Sequence, residues 1–171
     1  IAVIRNRENT GVIGRFGRPC PEVYGKQSVQ RVIDALRAGG HEVGVFEGDM
    51  TMLPALREFL PPDPASGRPS GMVFNMSYGV QGDCRYTHVP AMLEMAGIPY
   101  TGSSPLGHTL ALDKVITKSL MIEAGVPTPA FKVHAGPGGD TTGLTFPLVV
   151  KPRHESSSFG LRLVNNREEL D

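Results

Sequence analysis

The chain has 171 residues, 40% hydrophobic and 20% charged, which is enough to bury a real core and too apolar for a disordered segment. Lys+Arg and Asp+Glu both number 17, so the formal net charge is zero and no global field favours nucleic acid or an anionic membrane; any phosphate binding must be local. No leader-like pattern is present, no apolar run approaches the about 18 residues of a membrane span, and Cys20 and Cys84 form no CxxC pair, so the default is a cytoplasmic protein with two incidental thiols.

In chain order, Ala2-Val-Ile4 is a short buried strand. Ser28 can cap a helix in which Val29, Val32, Ile33 and Leu36 follow the i, i+3, i+4, i+7 spacing, with Gly39-Gly40 ending it. Val43–Phe46 is the next strand. A weaker helix over 51–60 carries Leu53, Leu56 and Leu60, with Pro54 tolerable in its first turn. The Pro/Ser/Gly-rich stretch Pro61 to Ser70 leads into the strand Gly71–Met76. Thr87 starts a helix with Val89, Met92, Leu93 and Ala96 on one face, stopped by Gly97, and Ile98–Tyr100 is a brief strand. This alternation predicts an α/β fold, a doubly wound parallel sheet with covering helices. The loop Arg5 to Pro21, with Gly11, Gly14 and Gly17, does not have the dinucleotide-binding spacing and reads as a loop.

Beyond Gly102-Ser-Ser-Pro105 the pattern changes. Leu112, Ile116, Leu120 and Ala124 mark a helix ended by Gly125, Phe131–Val133 a strand, and the glycine-rich His134 to Thr145 a connector. Phe146-Pro-Leu-Val-Val-Lys-Pro152, Glu155-Ser-Ser-Ser-Phe-Gly160 and Leu161–Val164 then read as strand, polar loop and strand. Such a hairpin, with a lysine at its base, suits a polyphosphate, whose oxygens backbone N–H groups and hydroxyls can surround; it equally describes an ordinary hairpin with a surface lysine. The expected division is 1–108, a Rossmann-like unit, and 109–171, a partial α+β unit. His41, His88, His108, His134 and His154 show no i,i+4 pairing that would hold a metal. The chain opens without Met and stops as a helix begins at Glu168-Glu-Leu-Asp171, which reads as a fragment of a longer protein.

Several phrases line up in order: Val89-Pro-Ala-Met-Leu-Glu-Met-Ala-Gly-Ile-Pro-Tyr-Thr-Gly-Ser103, Leu110-Ala-Leu-Asp-Lys114 with Thr117-Lys118, Gly125-Val-Pro-Thr-Pro129, and the two hairpin phrases. Together they resemble the D-alanine–D-alanine ligases of the ATP-grasp superfamily, from about Phe74 to Asn165. The resemblance implies a pre-ATP-grasp domain followed by part of the central ATP-grasp lobe. It also implies a carboxylate–amine ligase in which ATP phosphorylates a carboxylate and an amine attacks the acylphosphate. Lys114 and Lys151 match the family's phosphate-contacting lysines, although Lys114 by itself also fits an exposed helix lysine. Glu155, Ser156, Ser157, Ser158, Phe159 and Gly160 match the ATP-covering flap, with Ser157 also orienting the substrate end as a catalytic residue.

Glu22 lies nearest the glutamate that receives the first substrate's ammonium, a catalytic and substrate-binding role. Tyr78 stands in the substrate region where these ligases commonly carry His, which leaves the amino-acid specificity open and equally fits a packed aromatic. Ser156 replaces a flap glycine and is expected to cost the flap some access to positive φ. The implied ligands are ATP, Mg²⁺ and small amino acids, the implied partner a homodimer through the N-terminal domain. The metal ligands belong to a C-terminal lobe outside these residues, so the chain by itself is expected not to turn over. The other readings are a non-catalytic ATP-grasp remnant that binds nucleotide or a partner, and an unrelated α/β protein using its sheet's C-terminal edge for a small ligand.

Overall fold

In the computed structural model, residues 1–14 and 20–171 are described; Gly17 of the glycine loop lies outside them. The described chain divides into two compact units, Ile1–Thr109 and Leu110–Asp171.

The first unit is built on a parallel sheet. Strand β1 (Ala2–Arg5) runs between β2 (Gly44–Glu47) and β3 (Val73–Asn75), paired Val3 to Val45 and Val3 to Phe74. Side chains alternate across a strand, so β1 feeds two cores. Ala2 and Ile4 pack with Met52 and Leu56 of helix α2 (Met52–Phe59) and with Val89 and Leu93 of helix α3 (His88–Ala96). Val3 packs on the other face with Val29 and Ile33 of helix α1 (Lys26–Ala38). Helices on both faces of a parallel sheet make this the doubly wound α/β arrangement predicted from the alternation. Leu56 is fully buried, and Leu56→Ala is expected to destabilise the fold by about 2–5 kcal/mol, read by denaturant unfolding.

Several elements depart from the sequence reading. Helix α1 begins at Lys26, with Gly25 at the N-cap, so Ser28 lies inside the first turn and caps nothing. Thr87 does precede α3, but a 3₁₀ turn, Arg85–Thr87, comes first. Residues 98–100 form a single parallel bridge from Tyr100 to Val73 rather than a strand; Val73 N–H donates to the Pro99 carbonyl at 2.8 Å and Thr101 N–H to the Val73 carbonyl at 3.0 Å. Gly97, at φ 70, turns the chain out of α3 into this bridge, as a left-handed C-terminal residue does.

The helix expected from Leu112 to Ala124 is present as α5 (Lys114–Glu123), starting two residues late, and a further helix that the sequence reading did not name, α4 (Pro105–Leu112), ends one residue before it. Asp113 is the interruption: its backbone is extended (φ −79, ψ 102), and its carboxylate accepts from the N–H groups of Val115 (2.9 Å) and Ile116 (3.1 Å). A short acid gains more by capping the next helix than by continuing the last.

Phe131–Val133 is not a strand. Lys118 holds the neighbouring chain instead, with Nζ donating to Thr128 Oγ1 (2.6 Å) and the Pro129 carbonyl (2.7 Å) and lying 5.1 Å from the Phe131 ring centre. The hairpin is present: β4 (Leu148–Val150) pairs antiparallel with β5 (Arg162–Val164), Val149 opposite Leu163. Val164 is buried and Leu163 exposed, so the hairpin has one covered face. A short helix, α6 (Arg167–Leu170), follows, with Asn166 as its cap.

Candidate functional site

The residues singled out in the sequence fall into two clusters, one in each unit. In Leu110–Asp171, β4 ends at Val150 and delivers Lys151 at once. Lys151 is exposed, and among the described residues its ammonium has no hydrogen-bond or ion-pair partner. Lys114, first residue of α5, is engaged with the same stem. Its ammonium donates to the carbonyls of Arg153 (3.1 Å) and Glu155, and its N–H donates to the Arg153 carbonyl at 3.3 Å. The exposed-helix reading of Lys114 therefore does not describe it, since it is half-buried against the hairpin.

The serine loop turns tightly. Ser157 and Ser158 have φ 51 and 60, and Phe159 N–H donates to the Ser156 carbonyl at 2.9 Å, the φ signs and bond of a type I′ turn. The expected cost of serine for glycine at position 156 does not arise there, because the positive φ falls on the next two residues. Gly160 is also left-handed, at φ 69, and a Cβ on it would stand 2.7 Å from Cγ of Pro152, so the loop closes directly onto its own stem. Ser157, Ser158, Phe159 and Gly160 are exposed, whereas Glu155 and Ser156 are half-buried.

Three residues beside the flap went unnoticed in the sequence as a group. Asp113, 6% exposed, accepts two bonds from Arg153 Nε (2.9 Å to each oxygen) and one from Arg153 Nη2 (2.7 Å), and its Oδ2 lies 3.2 Å from His154 Nε2. The Arg153 guanidinium, more than the capping N–H groups or His154, holds the Asp113 carboxyl well below the usual carboxylate range against the opposing effect of burial. A depressed carboxyl pKa gives stability that is complete above the unfolded value of about 4 and is lost as pH falls below it. Asp113→Asn, which keeps the cap acceptor and removes the charge, is thus expected to destabilise most at neutral pH. Its difference from the wild type should shrink below about pH 4 in urea titrations; a difference independent of pH would contradict this. The signal that would have exposed the group was available: an Asp directly before a helical lysine is a cap candidate, and a capping carboxylate that is also buried calls for a cation.

In Ile1–Thr109, Glu22 is 7% exposed just ahead of α1. Tyr86 Oη donates to Glu22 Oε2, and Arg85 Nη2 lies 3.8 Å from the same oxygen, the Arg85 and Glu22 side chains only 3% and 5% exposed. Burial of this carboxylate is offset by a buried guanidinium and a phenol. Tyr78 stacks on Tyr24 at 4.8 Å between centroids and meets Tyr86 at 5.2 Å. Burial first, then Tyr24, pushes the Tyr78 phenol above its ordinary pKa, so it stays neutral. Cys20 ties this corner together: its N–H donates to the Val80 carbonyl at 2.9 Å, and its Sγ lies 3.6 Å from the Glu22 carbonyl oxygen. The structure thus brings Glu22 and Tyr78 to one corner, joined by Tyr24, Arg85 and Tyr86, which the sequence reading did not name.

Gly79 fixes the loop that carries Tyr78. Its N–H donates to Asn6 Oδ1 (3.2 Å) and Ser77 Oγ (2.9 Å), its φ is 77, and a Cβ there would stand 1.9 Å from the Arg85 carbonyl oxygen. The buried Asn6, beyond β1, also donates to the Gly48 carbonyl beyond β2 (3.0 Å) and bonds Ser77 beyond β3. The C-terminal ends of all three strands are thereby pinned together, the edge at which open α/β sheets bind ligands.

Among the described residues no three His, Cys, Asp or Glu side chains converge as a metal site, and no helix is long and apolar enough to cross a membrane.

No protein-family model matches the chain. It is 54% identical to the uncharacterized protein y4sG of Sinorhizobium fredii over 174 residues, 99% of this chain and 52% of that protein. It is also 37% identical to a D-alanine–D-alanine ligase of Marinomonas over 165 residues, 91% of this chain and 48% of that protein. A D-alanine–D-alanine ligase of Bacillus anthracis superposes with a TM-score of 0.66 at 23% identity, over 99% of this chain and 50% of that one; the same enzyme complexed with ATP gives 0.64. The chain spans about half the length of the curated relatives it matches.

Proposed function

The chain is a D-alanine–D-alanine ligase-like chain of the ATP-grasp superfamily, and we propose that the protein it forms part of is an ATP-dependent carboxylate–amine ligase. ATP supplies the γ-phosphoryl group: a substrate carboxylate oxygen attacks it, ADP leaves, and the resulting acylphosphate is attacked by an amine, releasing phosphate and forming an amide. The observation that carries this reading is the hairpin, where Lys151 ends β4 exposed, with no partner among the described residues, a few positions ahead of the turn of hydroxyls and N–H groups at 156–160. A compact ammonium there neutralises phosphate oxygens, and Ser157 and Ser158 cover them. Lys114 is the second phosphate ligand, reached once its bonds to the Arg153 and Glu155 carbonyls are exchanged for phosphate oxygens.

In the Rossmann-like unit, Glu22 receives the ammonium of the first amino acid and Tyr78 shapes its side-chain pocket. Residues 1–108 act as the pre-ATP-grasp domain and 109–171 as part of the central lobe, with the Mg²⁺ ligands on a lobe beyond these residues and pairing of two copies through the first unit. The test is to incubate the complete gene product with ATP, Mg²⁺ and a panel of amino acids, scoring phosphate release. Phosphate that appears only with particular amino acids supports the ligase. Tight ATP binding without phosphate release for any pair would point instead to a nucleotide-binding remnant.

A further inference from the structure

Asp113, Arg153 and His154 are not needed by the phosphate-binding reading, yet they form a tightly bonded contact. Asp113 uses one carboxylate for two tasks. It caps α5 through Val115 and Ile116, and it grips the flap stem through three bonds from Arg153, with His154 on Oδ2. The next residue, Lys114, binds the same stem through the Arg153 and Glu155 carbonyls. Without nucleotide, two adjacent residues at one helix start therefore hold residues 153–155; once Lys114 turns to phosphate, the Asp113–Arg153 pair remains, and the turn at Ser156–Phe159 begins immediately after. A guanidinium fork on a carboxylate sets both distance and plane, which a single lysine contact would not.

We propose that Asp113 and Arg153 are positioning residues for nucleotide: their ion pair, joined by His154, holds the stem from which the serine loop springs and so sets where that loop stands relative to the start of α5. The inference rests on the ATP-binding reading above. It differs from a purely structural role in what it moves. Asp113→Asn keeps an acceptor for the helix cap. Arg153 is 46% exposed in its side chain, but Arg153→Gln leaves the buried Asp113 carboxylate without its cation, so it is expected to lower stability at neutral pH as Asp113→Asn does, and both variants are assayed well below their melting temperatures. Each variant removes the fork and leaves the phosphate-contacting lysines in place.

In the complete gene product, each single variant is expected to raise the KM for ATP about tenfold, the size of effect that loss of a charge-assisted pair supports. The KM for the amino acids, and kcat at saturating ATP, should stay within about twofold. Asp113→Asn/Arg153→Gln should be no worse than the poorer single, because one contact is lost in all three. Amide hydrogen exchange over 155–160 should quicken in each variant without ATP present. A wild type that binds ATP, with both singles matching its KM for ATP, overturns the inference alone. So does a double variant whose losses multiply. A wild type that binds no ATP overturns the ligase reading, and the inference falls with it.

Discussion

Lys151→Ala is expected to weaken ATP binding to the complete protein by about 10- to 100-fold while leaving its melting temperature unchanged. The two halves of that expectation come from the same observation. Lys151 is exposed, and no partner holds its ammonium among the described residues, so the fold loses nothing when it goes. A charge-assisted contact to phosphate contributes about 1.5–3 kcal/mol, which is the stated range in affinity. Isothermal titration with ATP and Mg²⁺, beside a thermal melt, measures both. Unchanged affinity would make Lys151 an ordinary surface lysine and the hairpin an ordinary hairpin.

Gly79→Ala should have the opposite profile, a large loss of stability. The position combines φ 77 with a Cβ site 1.9 Å from the Arg85 carbonyl oxygen, and the obstacle is backbone, which cannot swing aside as a side-chain end can. Left-handed strain and a forced backbone shift together should cost about 3–5 kcal/mol. For a chain of this size that lowers the melting temperature by roughly 10 °C. The damage should concentrate on the Glu22 corner, because Arg85 is the residue displaced and Tyr78 precedes the glycine. A variant that melts within a degree or two of the wild type would show that the Tyr78 loop has room the structure does not give it.

What the sequence made legible follows from how local each signal is. Helix faces at i, i+3, i+4 spacing located α1, α2 and α3 because their cores are wide apolar stripes, and the uninterrupted apolar run Ala2-Val-Ile4 read as a buried strand, as a strand covered on both faces does. The failures were places where a side chain overrode the pattern. The apolar spacing put Leu112 on the same helix as Ile116 and Leu120, but the Asp113 carboxylate takes the N–H groups of Val115 and Ile116 and starts that helix at Lys114. Phe131–Val133 has strand composition, yet among the described residues it pairs with no strand, and Lys118 bonds Thr128 and Pro129 just before it and lies over the Phe131 ring.

At the candidate site, the chemistry-bearing residues were readable one at a time and their partners were not. Glu22 and Tyr78 are 56 positions apart; that they share a corner, and that Arg85 and Tyr86 meet Glu22 there, depends on the sheet bringing the loops after β1 and β3 together. In the same way, Lys114 was readable as a cation, but its engagement with residues 153 and 155 required the hairpin to fold back on α5. The serine loop adds a conformational case: φ signs at Ser157 and Ser158 are set by the turn, and the substitution at Ser156 gave no hint of them.

The most direct measurement of the central claim follows an oxygen atom. The complete gene product is supplied with ATP, Mg²⁺ and an amino acid labelled with ¹⁸O in its carboxylate, and the released phosphate is examined by mass spectrometry. A ligase working through an acylphosphate transfers one labelled oxygen to each phosphate. Phosphate that carries no label, released at the same rate with and without the amino acids, would mean that water takes the phosphoryl group and that no carboxylate is activated.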